Sequence, residues 1–280
     1  MIMVVKWDGR REPFQREKII KTLMRVGASR SVAEEIARRI EEEAYDGIST
    51  REILEAAFKH LSRYEPTVSL RRDLKSALGA LRPKPDFEEY IRILLRGMGH
   101  EVEGNKILRG RCATHEVDGI IHMEDKTLYL EVKHHSNSHT YTPFEVALAA
   151  KAKWEDLLEG YRMGLNPYRI DGVLIATNTK LTMHARRYAE CVGIKYLGWN
   201  TPESGGIDQL IEETGHYPIT MLKSLSQGEL ETLSTRGILT LKQLLSAELP
   251  ASIPSSRASR LRGEARKILE LAGGMPRFST

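Results

Sequence analysis

Cysteine is scarce in this chain of 280 residues: Cys112 and Cys191 are all there is. They lie in separate segments without metal-ligand spacing, which argues against a disulfide framework or a thiolate zinc site. They are expected to be reduced thiols of a cytoplasmic protein. Long apolar runs are absent too, and no stretch approaches the ~18 residues of a membrane helix. The opening Met1-Ile2-Met3-Val4-Val5-Lys6 is too short, and too soon charged, to be expected to act as a signal peptide. Nucleophilic and phosphate-loop signatures are missing as well. Gly104 and Gly110 are isolated glycines, and no Ser/His/Asp pattern occurs.

What is present is an ordinary soluble composition, 41% hydrophobic and 29% charged. The net charge of +4 is unevenly spread. Residues 1–83 carry +4, residues 84–216 carry −4 and residues 217–280 carry +4. An acidic middle between basic flanks suits a cation-holding site beside surfaces that attract a polyanion.

The most informative stretch is Thr127-Leu128-Tyr129-Leu130-Glu131-Val132-Lys133. Its apolar residues alternate with Tyr129, Glu131 and Lys133, so Glu131 and Lys133 share one face of a strand. A second strand, Glu116-Val117-Asp118-Gly119-Ile120-Ile121, precedes it across the polar turn Met123-Glu124-Asp125-Lys126. Paired as a hairpin, the two bring Asp118, Glu131 and Lys133 to one spot. Two carboxylates suit a hard divalent cation, and a lysine beside them suits negative charge on a phosphodiester. A surface acid beside a cross-strand ion pair is the bland reading. His115, His134, His135 and His139 sit near these motifs without firm ligand spacing, so ordinary packed histidines and phosphate-contacting ones both remain open.

The first segment opens with a hairpin signal, Asp8-Gly9, between Val4-Val5-Lys6-Trp7 and Arg10-Arg11-Glu12-Pro13-Phe14. Four amphipathic helical patterns follow. The second is expected to start at Ser31 with Glu34 as its capping box, and the fourth to follow Pro66 with Leu70, Leu74, Ala77, Leu78 and Leu81. The run Val5-Lys6-Trp7-Asp8-Gly9-Arg10-Arg11-Glu12-Pro13-Phe14, with Ser49-Thr50-Arg51-Glu52-Ile53 and Tyr64-Glu65-Pro66-Thr67-Val68 further on, resembles the ATP-cone domain. That resemblance implies a β-hairpin plus four-helix regulatory domain over residues 1–83 that takes ATP or dATP. Lys6, Arg10, Arg11 and Lys18 would face the phosphates.

Pro83-Lys84-Pro85 reads as a stiff linker, after which Asp86 is expected to cap a helix of about 86–98. A strand near Glu101-Val102-Glu103, a basic loop with Lys106, Arg109 and Arg111, and the two key strands come next. Helix 143–162, strand 171–177, helix 181–191 and strand 193–198 complete an α/β sandwich on a mixed sheet. The ordered set Phe87-Glu88, His115-Glu116-Val117-Asp118, Glu131-Val132-Lys133 and Ala176-Thr177-Asn178-Thr179 resembles Mrr-like restriction endonucleases of the PD-(D/E)xK superfamily. By that resemblance residues 84–216 form a nuclease domain. Asp118 and Glu131, helped by the Val132 carbonyl, would hold Mg²⁺ or Mn²⁺. Lys133 would orient the attacking water, and Glu88, with Glu89 as its rival, would reach in from the first helix.

Residues 217–280 read as a small all-helical domain, similar to helix-hairpin-helix units, around Gly237-Ile238-Leu239-Thr240. A helix beginning near Ser255 carries Arg257, Arg260, Arg262, Arg266 and Lys267 as a nucleic-acid contact or a solvated face. Together the resemblances imply a Mg²⁺-dependent DNA endonuclease tuned by a nucleotide effector and acting as a homodimer or larger. The contrasting reading is a nucleotide-responsive DNA-binding regulator that uses the nuclease fold as a scaffold.

Overall fold

The computed structural model describes the chain except Met1, Trp7, Asp8, Val26, Gly27, residues 65–73, His139, Ser204 and residues 274–280. The chain forms two compact units, one of residues 1–73 together with 271–273 and one of residues 74–270.

In the first unit, β1 (Met3–Val5) and β2 (Arg11–Pro13) pair antiparallel, Val4 opposite Glu12. The Lys6 N–H donates to the Arg10 carbonyl at 2.8 Å, and the Gly9 N–H to the Lys6 carbonyl at 2.9 Å. Gly9 takes φ +81°, a left-handed conformation that a side chain resists. Asp8, the other half of the expected turn signal, lies outside the described residues. Helices α1 (Arg16–Arg25), α2 (Arg30–Glu43) and α3 (Thr50–Tyr64) follow. Their three- and four-residue apolar spacings build one core with Val4, made of residues such as Leu23, Ile36, Ile40 and Leu61.

The start of α2 differs from the sequence expectation. Ser29, not Ser31, is the cap, and it accepts the Val32 N–H at 3.3 Å. Glu34 is captured by Arg30 at 2.8 Å, which removes the acid that a Ser31 box needs. The reciprocal box forms instead at α3, where Ser49 and Glu52 bond each other's main-chain N–H groups.

Helix α4, described over residues 74–80, belongs to the second unit. The Leu78 carbonyl accepts from His134 Nε2 at 2.9 Å, and the Ala77 carbonyl from the Thr220 hydroxyl at 2.7 Å. The unit continues with α5 (Glu88–Gly97), β3 (Glu101–Glu103), β4 (Lys106–Arg109), β5 (Thr114–Val117), β6 (Gly119–His122) and β7 (Thr127–Lys133). Next come β8 (Tyr141–Thr142), α6 (Phe144–Arg162), β9 (Gly172–Thr177), β10 (Lys180–Leu181), α7 (Met183–Val192), β11 (Lys195–Leu197) and α8 (Ile207–Thr214). Five strands form a mixed sheet in the order β11-β9-β7-β6-β3. β7, β9 and β11 run parallel, while β6 and β3 are antiparallel to their neighbours.

β7 is the middle strand and is covered on both faces. Tyr129 looks toward Ala147, Ala150 and Leu157 of α6 and Ala189 of α7. On the other face Leu128 and Leu174 line an apolar cavity of about 440 Å³ with Leu95 of α5 and Leu210 of α8. Two-sided burial makes the parallel strands read as nearly continuous apolar runs.

Two expectations are corrected in this unit. Lys106 and Arg109 belong to strand β4, which pairs with β5 in a small separate sheet, not to a loop. Asp86 does not cap α5. It lies in a π-helical turn, Pro83–Phe87, and is 1% exposed. Its carboxylate instead accepts from Arg82 Nε and Nη2 at 2.7 and 2.9 Å and from the Ser234 hydroxyl at 2.8 Å.

Ser234 ends α9 (Gln227–Ser234), which is followed by α10 (Leu241–Ser246) and α11 (Ser255–Gly273). Capping boxes at Ser226–Glu229 and Thr240–Gln243 start α9 and α10. Gly237, at φ +71°, turns the chain between them. On α11, Arg257 grips Glu229 at 2.6 Å and the Ser224 carbonyl, and Arg262 donates to the Ala247 carbonyl at 2.7 Å. Arg260, Arg266 and Lys267 remain exposed.

The Asp86 contacts join the start of α5 to α9. Replacing Asp86 by alanine removes a buried carboxylate from two donors and is expected to destabilise the second unit by roughly 2 kcal/mol, since Arg82 is only partly buried. Urea midpoints of the wild type and D86A check this, and an unchanged midpoint contradicts it.

Candidate active site

The chain breaks its extended run at Asp118, between β5 and β6, where the sequence reading had one unbroken strand. The Asp118 N–H donates to the Leu130 carbonyl at 3.0 Å. Its carboxylate accepts the Val132 N–H at 2.7 Å. The side chain thus takes up a main-chain donor of β7 and is fixed beside Glu131. Gly119 permits this course, because a Cβ there would stand 2.8 Å from the Glu103 carbonyl.

Asp118 and Glu131 are buried, at 7% and 8% exposure, and Glu88 at 3%. Asn105 Nδ2 holds Glu88 Oε2 at 3.1 Å. Arg92 Nη1 reaches both Asn105 Oδ1 at 2.7 Å and the Asp118 carbonyl at 2.5 Å. The helix acid is therefore tied to the strand break through two polar side chains. Glu89, the rival acid, turns away to Arg92 and Arg96.

Lysines fill the spaces between the carboxylates. Lys133 Nζ lies 2.7 Å from Glu131 Oε1, and Lys153 Nζ lies 2.6 Å from Glu131 Oε2 and 3.0 Å from the Glu116 carbonyl. Lys84 Nζ stands among three acids, 3.0 Å from Glu88, 3.3 Å from Glu116 and 3.7 Å from Asp118. The structure thus brings together Glu88, Asp118, Glu131 and Lys133, as the sequence reading placed them. It adds Lys84, Glu116 and Lys153, which that reading missed. Lys153 had a signal: three residues past Ala150 and four before Leu157, it is a lysine at a core-facing position of α6. Val132 is positioned by its N–H, which Asp118 engages.

The two acids titrate in opposite directions. Burial raises the Asp118 carboxyl, and the charges of Glu88 and Glu131 add to that against the Val132 N–H and Lys84. Burial also pushes Glu131 up, but Lys153 and Lys133 outweigh it and leave its carboxyl below the ordinary range. Hydrogen bonding to Glu88 holds the Lys84 ammonium above its usual range despite some desolvation.

Among the described residues no three His, Cys, Asp or Glu side chains converge on a position able to hold a metal ion. The donor type nevertheless suits a hard cation, since carboxylate oxygens of three acids already surround one ammonium nitrogen. The histidines take other partners. His115 Nε2 is 2.7 Å from Asp156, His134 engages the Leu78 carbonyl, and His135 contacts Thr142. His139 lies outside the described residues.

In the first unit, Lys6 and Lys18 converge on one oxygen, Glu12 Oε1, at 2.7 and 2.9 Å. Arg11 reaches Asp46 at 3.5 Å, and Arg10 is exposed beside the turn. Glu12 is held below the usual carboxylate range, chiefly by its hydrogen bond to Lys6 and then by Lys18.

The first unit is a hairpin followed by helices, and the second an α/β unit with an acid–lysine cluster. Residues 2–74 match the ATP cone domain family, and residues 217–269 match the AF1548-like C-terminal domain family. An uncharacterized protein of Archaeoglobus fulgidus is 31% identical over 180 residues, which is 63% of this chain and 98% of that protein. A second uncharacterized protein of the same organism is 48% identical over 40 residues, 14% of this chain and 85% of its own length. The crystal structure of AF1548, a protein of unknown function, superposes with a TM-score of 0.50 at 28% identity, covering 66% of this chain and 94% of that one. The chain belongs to the AF1548-like family and carries an ATP cone at its N-terminus. No helix among the described residues is long and apolar enough to cross a membrane.

The Asp118 shift gives a signed pH dependence. The folded protein holds that proton more tightly than the unfolded chain, so the ionised carboxylate costs stability above its folded pKa. The cost disappears as the pH falls through that value. D118N keeps an acceptor for the Val132 N–H and removes the charge. It is expected to be more stable than wild type by roughly 1 kcal/mol at pH 8, with the gain fading as the pH falls toward ~4 and absent below it. Thermal unfolding of both proteins from pH 3.5 to 8 measures this, and a D118N protein less stable than wild type at pH 8 contradicts it.

Proposed function

We propose that the chain is a metal-dependent endodeoxyribonuclease whose activity responds to ATP or dATP at the N-terminal cone. The observation that carries the reading is the gathering of Glu88, Asp118 and Glu131 with Lys133 at the break between β5 and β6. Buried carboxylates beside lysines are costly to maintain and are characteristic of sites that do chemistry. A Mg²⁺ or Mn²⁺ ion held by Asp118 and Glu131, with the Val132 carbonyl beside them, would supply positive charge against the phosphate oxygens.

The chain's own groups do the rest. The Asp118–Val132 bond fixes one carboxylate, and Lys153 fixes the other by one of its two oxygens. Lys133, with a side chain 40% exposed, is the lysine placed to orient a water and to meet charge on phosphorus. The water oxygen forms a bond to phosphorus, the bond from phosphorus to the leaving oxygen breaks, the water gives a proton to solvent, and the leaving oxygen takes one from solvent to end as a hydroxyl. Exposed Arg260, Arg266 and Lys267 on α11 suit contacts to a DNA backbone without base readout. Cutting both strands asks for two such sites, hence a homodimer or a larger homo-oligomer.

A second reading, a nucleotide-responsive DNA-binding regulator, draws on a different observation. Both Glu131 oxygens are already engaged by lysines, as in a structural ion-pair network. Cleavage separates the two. Supercoiled plasmid with Mg²⁺ or Mn²⁺ is expected to be nicked by wild type and by K133A on the order of 100-fold more slowly. DNA binding without cleavage supports the regulator instead, and equal rates for K133A remove Lys133 from the mechanism.

At the cone, Glu12 occupies Lys6 and Lys18 as a phosphate would. E12Q is expected to tighten ATP binding by the full-length chain about tenfold, and K18A to weaken it by a similar factor. Isothermal titration with ATP and dATP reads both. An E12Q protein that binds no tighter than wild type contradicts the placement of the phosphates there.

A further inference from the structure

Lys84 places a positive charge beside Asp118, one of the two acids read as metal-holding. Its ammonium nitrogen lies within 3.7 Å of oxygens from Glu88, Glu116 and Asp118. Those distances are ion-pair distances, wider than the ~2.0–2.6 Å of metal–oxygen bonds. The three acids are therefore held around a cation but not drawn together.

Charge balance points the same way. Four carboxylates, of Glu88, Glu116, Asp118 and Glu131, face the ammonium groups of Lys84, Lys133 and Lys153. The cluster is then one charge negative. A divalent cation entering beside all three lysines would turn it one charge positive, next to the buried Glu88, Asp118 and Glu131, where unbalanced charge is costly. If one lysine withdraws, the cluster is neutral.

Lys84 is the lysine able to withdraw. Its side chain is 61% exposed, against 40% for Lys133 and 21% for Lys153. Its contacts are also longer than the 2.6 and 2.7 Å bonds those two make to Glu131. It sits in the turn ahead of α5 on extended backbone, φ −128° and ψ 136°, not on a strand or within a regular helix as the others do.

We propose that Lys84 is a tethered cation that occupies the carboxylate cluster and competes with a divalent metal ion, which binds only as the Lys84 side chain swings out to solvent. This rests on the reading of Asp118 and Glu131 as metal-holding acids and adds a residue to that site. Displaced, the ammonium stays at the mouth of the site, where a phosphate oxygen of the substrate can take it up.

The test is Mn²⁺ binding to the full-length protein without DNA, read by the loss of the free Mn²⁺ paramagnetic resonance signal. K84M is expected to bind Mn²⁺ about tenfold more tightly than wild type, K84R to match wild type, and D118N to lose the site. Thermal unfolding confirms that each variant is folded, and K84R keeps the comparison valid should K84M not fold: K84R binding much tighter than wild type would overturn the proposal. Equal affinity of K84M and wild type at a site that D118N abolishes overturns the role of Lys84 and leaves the metal-holding acids standing. Absence of D118N-sensitive Mn²⁺ binding in wild type and K84M alike overturns both.

Discussion

The second unit depends on one hydrogen bond, from the Val132 N–H to the Asp118 carboxylate. At that point the chain leaves the small β4–β5 sheet and enters the large one. A strand that ends leaves main-chain groups without partners, and burying them unpaired would cost several kcal/mol. Asp118 answers with both of its own groups, its N–H to Leu130 and its side chain to Val132. The geometry that closes the sheet is the same geometry that fixes a carboxylate beside Glu131. Fold and site share this one device.

Around that bond the molecule keeps buried acids by surrounding them with lysines from three different elements: the turn before α5, β7 and α6. The acids alone would repel one another, and burial first, with that repulsion behind it, raises the Asp118 carboxyl. Each lysine has a different reach and exposure. Lys153 is clamped between Glu131 and a carbonyl, Lys133 opens to solvent, and Lys84 hangs from a turn. Such an arrangement is stable without a ligand and still leaves one face responsive to added charge.

Much of this was legible in the sequence, for reasons that are local. The alternation in residues 127–133 and the polar turn before it announced the β6–β7 hairpin, because Tyr129, Glu131 and Lys133 alternate with aliphatic residues although β7 is buried on both faces. The span of α6 was legible too, expected at 143–162 and found at Phe144–Arg162. What was hidden is long-range. A helical stripe shows that Leu74 and Leu78 are buried but not in which core, and they belong to the second unit. An aspartate before a helix looks like a cap, yet Asp86 bonds Arg82 and Ser234, the latter far along the chain. Lys84 and Lys153 flank the site only because α5 and α6 cover opposite faces of one sheet.

The Asp86–Ser234 contact also bears on how this chain can be recombined. The C-terminal helices match a domain family of their own, yet they share a compact unit with the sandwich. Tyr90 donates to the His216 carbonyl and Thr220 to the Ala77 carbonyl, so the seam between them is sewn at several points by side chains from both sides. A tail grafted from a relative would have to bring matching stitches. The segment is a separate word in the sequence but not a detachable part of the molecule.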